Sequence, residues 1–376
     1  MPFTTPSLRD IWTRWRDSAR AFMPGTDAWI EPNNISVVGR SFALSLGSAY
    51  ERAHYLYRQI FASSADAEHL EYRHAFEYGI SRKAAAPAQG LISFQQTLPA
   101  ATIPAEFHVI APNGAVIMFL APAVPDANGL TSVEVRAVEP GASGNLLPGT
   151  PLEIPADAAY PGLPANANVG PDGFGGGADI ESDDELRARV LKRKREPPHG
   201  GSRSDYEQWA LEVAGVTRVF VSPFKTTNAN AVAAALTVYP LFDKTRLNGV
   251  PNAYDLLAVA QRFEAAPDGS PTNARPVTAR VYVVAPRPVP VFISIGGLAG
   301  DTSYLRAAIQ DNLKKMFYER VPVVTAENQF SLPVAWIDEA IARAPGYQRH
   351  RMITPKEDRV FEAGDLPILG EIDFGF

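Results

Sequence analysis

Residues 176–223 read GGADIESDDELRARVLKRKREPPHGGSRSDYEQWALEVAGVTRVFVSP. Ser182 and Glu185, three apart, have the form of a capping box, in which a hydroxyl and a carboxylate satisfy the free N–H groups that open a helix. Ser204 and Glu207 predict a second box. Tyr206, Trp209, Ala210 and Val213 then recur at i, i+3, i+4 and i+7, one apolar helical face. Gly215 stands where a left-handed cap belongs, and Val216 to Val221 reads as a strand. The stretch therefore predicts two capped helices joined by a proline–glycine turn and followed by a strand. None of its side chains is a reactive group, so its information is structural.

Working outward, residues 1 to about 80 have helical spacing. Leu8, Ile11, Trp12 and Trp15 predict a first helix, broken at Pro24-Gly25; Val38, Phe42, Leu46, Ala49 and Tyr50 predict a second, and 64–78 a third. Tyr50, Tyr55 and Tyr57 leave the second helix too aromatic outside for a solitary helix, which fits either a local core or a subunit interface. From about 85 to 155 the period becomes two, and Asn113-Gly114 marks a hairpin. Residues 140–178 are dense in Pro, Gly, Asn and Ala, the composition of a pliable connector. Beyond, helices expected at 183–195, 204–214, 253–266, 303–318 and 332–344 alternate with strands at 216–222, 232–239, 277–284, 289–295, 347–353 and near 367–374. WALEVAGVTR at 209–218 and EAIARAPGYQR at 339–349 echo each other faintly.

The expected fold class is α+β multidomain: a helical N-terminal region (1–82), a small β-rich domain (83–155), the connector (156–180), an α+β domain (181–287) and a C-terminal α+β domain (288–376).

Composition narrows the function. The 376 residues are 46% hydrophobic and 20% charged, ordinary for a globular chain of two or three domains. Net charge is −6, which argues against a generally nucleic-acid-binding surface. Cysteine is absent, which excludes disulfides, thiolate metal sites and thiol nucleophiles. The N-terminus shows no secretory pattern, and no apolar run approaches the ~20 residues of a membrane span. These signals together predict folding in a cytosolic compartment.

Four patterns invite chemistry. Glu51-x-x-His54 and Glu71-x-x-His74 have the spacing of a di-iron bundle, but the two further glutamate helices such a site requires are not evident. Asp179, Glu181, Asp183, Asp184 and Glu185 lack the EF-hand Gly and Glu positions, and acids at a helix start complement its dipole. Lys192, Arg193, Lys194 and Arg195 sit in the last turn, where cations are favoured, and fit a solvated face or an acidic neighbouring subunit. The glycines of 173–177 resemble a phosphate loop but lack its Lys-Ser/Thr, and read better as a hinge. No nucleophile has a recognisable base. No catalytic, cofactor-binding or metal-binding residue is expected, and no cofactor.

The 176–223 stretch resembles the signature of the baseplate J-like family, wedge proteins of Mu-like contractile phage tails. Gly-Gly-x-Asp at 176–179, Glu181, Ser182 and L-R-A-R at 186–189 carry the resemblance, with P-P-x-G-G at 197–201, D-Y-x-x-W at 205–209 and A-G-V-T-R at 214–218. It extends through Gly79-Ile80-x-Arg82, Ala88-x-Gly90, Ile103-Pro104-Ala105, 140–150 and the ending Leu366-Pro367-Ile368-Leu369-Gly370-Glu371-Ile372; Glu106 stands where the family usually has Gly. The resemblance implies a non-enzymatic virion protein, assembled in the host bacterial cytoplasm. It implies a ring of copies around the central hub and spike, contacts with a second wedge protein and the sheath initiator, and rearrangement when the sheath contracts. It also implies that the helical N-terminal region joins a multi-subunit bundle. No nucleic acid or membrane span is implied. A tail-associated cell-envelope hydrolase and a glycan-binding fibre or adhesion module remain the alternatives from other classes.

Overall fold

The computed structural model describes residues 5–26, 30, 33–97, 100–157, 159–223, 235–264, 275–276 and 279–375. Parts of the strands expected at 232–239 and 277–284, and the end of the helix expected at 253–266, lie outside the described residues. The chain is α+β multidomain and folds as two compact units, Met1–Arg82 with Ser182–Arg195, and Lys83–Glu181 with Glu196–Phe376.

The first unit is helical. Helix α1 (Leu8–Phe22) opens on a capping box between Ser7 and Asp10, and α2 (Asn34–Gln59) on the Asn33 side chain. A short α3 (Ala67–His69) runs into a wider π turn at Leu70–Ala75. Helix α4 (Asp183–Arg195) completes the unit, because Leu186 and Val190 on its apolar side are buried among Ala62, Ala65, Leu70 and Ala75. Arg187 reinforces this packing by donating to the carbonyls of Ala62 and Ala65 at 2.6 and 2.9 Å. The expectation that residues 183–195 open the α+β domain is thus corrected: local pattern finds the helix but not its partners.

The second unit begins with a closed barrel of β1 (Gln89–Gln95), β2 (His108–Ile110), β3 (Val116–Phe119), β4 (Leu130–Ala137), β5 (Pro151–Glu153) and β6 (Asn166–Val169). Its order is β1-β4-β3-β2-β5-β6, and β6 returns to β1 through Ile92 and Val169. Alternate residues such as Ile92, Phe94, Val133 and Val135 fill the interior. Strands β5 and β6 occupy the stretch read as a connector, which is therefore barrel wall. Two of its glycines serve close approach: a Cβ on Gly173 would lie 2.7 Å from the Leu146 carbonyl, and one on Gly177 would lie 2.7 Å from the Gly141 carbonyl.

Two α+β layers follow. The central one holds α5 (Arg203–Leu211), β7 (Arg218–Pro223), β8 (Ala235–Leu241), α6 (Ala253–Glu264) and β9 (Arg280–Val283), in the sheet order β7-β8-β9. The C-terminal one holds β10 (Arg287–Gly296), α7 (Ser303–Arg320), β11 (Ser331–Leu332), α8 (Val334–Ala342), β12 (Arg351–Thr354), β13 (Arg359–Val360) and β14 (Asp365–Asp373), with the sheet order β12-β10-β14. In each sheet the middle strand has one antiparallel and one parallel neighbour. The sequence echo falls on α5–Gly215–β7 and α8–Gly346–β12, both turning through a left-handed glycine into the antiparallel edge strand. The chain order differs, since β7 precedes its middle strand and β12 follows it. A small core of Leu241, Val323 and Leu366 fastens the two layers together.

Candidate assembly surface

The surface grows from an inversion in α2. Its buried residues are Ser36, Gly39, Ala43, Gly47 and Gln59, so small side chains dominate the face turned inward. Against that face lie Leu8, Trp12 and Trp15 of α1: a Cβ on Gly39 would stand 2.1 Å from the Trp15 ring, and one on Gly47 would stand 2.5 Å from Leu8. The two indoles stack at 5.5 Å, and Arg40 covers Trp12 at 5.8 Å. Large residues of α1 thus pack on backbone of α2.

The large apolar residues of α2 consequently face outward. Phe42, Leu46, Ala49, Ala53, Leu56 and Ile60 recur at alternating steps of four and three, the spacing of a coiled-coil seam. Phe42, Leu56 and Ile60 are 50%, 49% and 62% exposed, and Val37, Val38 and Leu44 add to the apolar surface. The apolar pattern through Val38, Phe42, Leu46 and Ala49 is therefore largely the outer face of the helix. The signal that locates the inner face was present in Gly39 and Gly47, spaced to share one side of a helix with Ala43. Helix α2 itself carries three arginines, Arg40, Arg52 and Arg58, against one carboxylate, Glu51.

The signature stretch has a different task. Helix α5 is capped two residues earlier than expected, by a box between Ser202 and Asp205, not Ser204 and Glu207. The Asp205 carboxylate, 1% exposed, accepts from the backbone N–H groups of His199, Gly201 and Ser202 at 2.7 to 3.1 Å. Gly200 and Gly201 take positive φ of 76° and 124°, which points those N–H groups inward. Burial pushes the Asp205 carboxyl up, and the bonds from Gly201, Ser202 and His199 outweigh it and leave it below the usual range. The P-P-x-G-G…D pattern is one interlocked turn, and models of two known domains match around it. The Baseplate J-like protein barrel domain matches residues 91–176, and the Baseplate J-like central domain matches residues 198–285.

The chain carries both Baseplate J-like domains. Baseplate protein gp47 of Escherichia phage Mu is 29% identical over 378 residues, covering 100% of both chains. The Mu-like prophage FluMu protein gp47 of Haemophilus influenzae is 27% identical, also over 100% of both. Putative protein JayE of Escherichia coli is 28% identical over 66% of this chain and 86% of its own. A chain of the anti-feeding prophage baseplate solved by cryo-EM aligns over 99% of this chain and 100% of its own, at a TM-score of 0.41 and 12% identity, too loose a superposition to build on.

In this baseplate J-like chain the remaining motifs have structural duties. Glu71 pairs with Arg82 and the His74 ring meets the Gln59 carbonyl, whereas Glu51 and His54 stay on the exposed side of α2, so the two Glu-x-x-His motifs do not converge. Of the acidic run, Asp179 accepts from Ala142, Glu181 from Lys83, Asp183 from Arg82, and Glu185 completes the box with Ser182. Lys194 lies over the Tyr78 ring at 5.4 Å, and Lys192 and Arg193 also have partners within the chain; Arg195 ends the helix beside them. The expected hinge at 173–177 is packed wall: a Cβ on Gly175 would meet Asn252 at 2.2 Å. Among the described residues no helix is long and apolar enough to cross a membrane.

Proposed function

We propose that this chain is a wedge subunit that joins its neighbours in the baseplate through the open seam on α2. It is a structural baseplate subunit of a contractile tail, in keeping with its Baseplate J-like domains and with full-length similarity to a phage baseplate protein. The observation that carries the finer reading is the inverted helix: six residues at heptad spacing, including Phe42, Leu56 and Ile60 at about half exposure or more, with no use in the internal packing of α1 on α2. The basic balance of α2, three arginines against one carboxylate, favours partner helices that carry acidic flanks. On this reading copies of the chain and a second wedge protein form a helical bundle, the chain contributes to the ring around the hub and spike, sheath-initiator contacts follow from that position, and the ring rearranges on contraction. The role is mechanical, without catalysis, and assembly takes place in the host cytoplasm.

The test is association. Co-expressed with the second wedge protein, wild type should co-purify as a complex at micromolar concentration, and Phe42→Glu/Leu56→Glu should not, while keeping its thermal midpoint. A strictly monomeric wild type, or undiminished assembly of the double variant, would sink the proposal.

A further inference from the structure

Within the second unit, β14 has one strand neighbour, β10, in the sheet order β12-β10-β14. The Gly364 carbonyl accepts from Arg287 of β10, and the next carbonyl, Asp365, accepts from Val324 on the other side, both at 2.8 Å. Backbone groups alternate along a strand. In the parallel register Leu366 and Ile368 therefore bond to β10, while Pro367 and Leu369 turn their groups outward. Among the described residues no strand continues this edge beyond Val324. Pro367 brings no N–H to it, which limits pairing to a short segment. The Pro367 carbonyl and the Leu369 N–H remain, and one residue of an added parallel strand can bond both.

Pro367 and Leu369 also line a cavity of about 250 Å³, together with Lys314, Phe317 and Tyr318 of α7. These three share one side of their helix, being three and four residues apart. Arg218 lines the cavity too, but its charge is balanced: it donates to Asp243 at 2.7 and 2.9 Å and to the Tyr318 carbonyl at 3.0 Å. Lys314 is 59% exposed, and its carboxylate neighbour Asp311 stands 4.0 Å away at 79% exposure, a surface pair worth little. Lys314 is therefore the charge this lining presents. The volume falls below the roughly 300–1,000 Å³ of small-molecule pockets, yet it accommodates one apolar side chain beside a strand. Lys314 lies about 4.5–6 Å along the helix from Phe317 and Tyr318, close to the ~7 Å between side chains two apart on one face of a strand. We propose that this cleft takes an extended segment of a partner protein as an added strand on β14. An apolar side chain fills the cavity and, two residues away, a carboxylate meets Lys314. The open backbone edge selects a strand over a helix, and the basic lining selects the acid. The site uses no residue of the α2 seam and stands apart from the assembly reading.

The probe is a fluorescein-labelled, acetylated hexapeptide, Thr-Leu-Thr-Asp-Thr-Val, titrated against the full chain by fluorescence anisotropy. It should bind saturably, and replacing its aspartate by lysine should weaken binding by about tenfold or more. Lys314→Glu should weaken the original peptide to a similar degree and leave the thermal midpoint unchanged, since Lys314 is exposed. A strand edge reads one alternate set of N–H groups. Methylating the backbone nitrogens of that set should abolish binding, whereas methylating the other set should change it by no more than about twofold. Absence of saturable binding, equal effects of the two methylated sets, or undiminished binding to Lys314→Glu would overturn the proposal. Dissociation of a wild-type dimer by the peptide would make a second copy the occupant and overturn it as well.

Discussion

Arg246 grips Asp255 from both ends of its guanidinium, Nε to Oδ2 at 2.6 Å and Nη2 to Oδ1 at 3.1 Å. Asp255 is 1% exposed and also accepts the Gly176 N–H at 2.6 Å, while Arg246 reaches the Phe174 carbonyl at 2.8 Å. The last loop of the barrel is thereby pinned to the start of α6. Asp255→Ala would leave a buried guanidinium without its counter-charge, and stability of the second unit should fall by about 3–5 kcal/mol. Urea unfolding checks this; a loss below about 1 kcal/mol would show that water or another group replaces the pair. Asp255→Leu with Arg246→Met should recover much of the loss, since no charge is then stranded.

Asp205 ties acid stability to the signature turn. The backbone N–H groups around it hold its folded carboxyl below the ordinary aspartate value of 3.8. A depressed carboxylate contributes stability that is present above the unfolded value and is lost as pH falls through the folded one. Stability of the wild type should therefore decline as pH falls below about 4, and Asp205→Asn should lose part of that slope while being less stable at pH 7. Identical pH slopes for the two proteins, from urea melts between pH 6 and 2, would refute the assignment.

The elements themselves were largely legible. Asp183–Arg195 appears with the boundaries expected of it, because capping and helical spacing are local signals. What could not be read was which elements share a core. Helix α4 has the same apolar spacing whether it packs on Leu70 or on a sheet, and only the fold chooses. Glycine density misled at 140–178 because composition cannot separate a glycine needed for freedom from one needed for contact, as at Gly177. The apolar pattern of α2 locates a helix but leaves open whether it serves a local core or an interface, since only the fold shows that Trp12 and Trp15 take the small-residue face. The signature turn was recognised as a pattern before its chemistry, because the bonds to Asp205 come from backbone N–H groups that carry no sequence identity.

Asp66 predicts a second acid transition, confined to the helical unit. Its carboxylate caps α3 through the His69 N–H, and also meets the His69 ring and the Tyr55 hydroxyl, at 2.9, 2.9 and 2.8 Å. The His69 backbone bond, with the Tyr55 and His69 side chains, holds its pKa down to about 2. The stabilisation is complete above the unfolded value near 4 and should disappear between about pH 4 and 2. Asp66→Asn should remove that step. Amide exchange at Ala67–His69 that shows the same acid dependence in both proteins would contradict it.

Gly39 and Leu56 should respond in opposite ways to changes that size alone would rank the other way round. On helix propensity, Gly39→Leu favours α2 by somewhat under 1 kcal/mol. Yet any Cβ at Gly39 already falls within 2.4 Å of ring atoms of Trp12 and Trp15. Overpacking costs about 1–3 kcal/mol and more when rings cannot yield, so the variant should undock α1 and lose the near-ultraviolet circular dichroism of the stacked indoles. Leu56→Gln removes a large apolar side chain, but one that is 49% exposed and faces away from α1. Stability of the free chain should change by no more than about 0.5 kcal/mol, while the association proposed for the seam weakens. If Leu56→Gln instead cost the 2–5 kcal/mol typical of emptying a core leucine site, the seam would be an internal surface and α2 would have no outer face to offer.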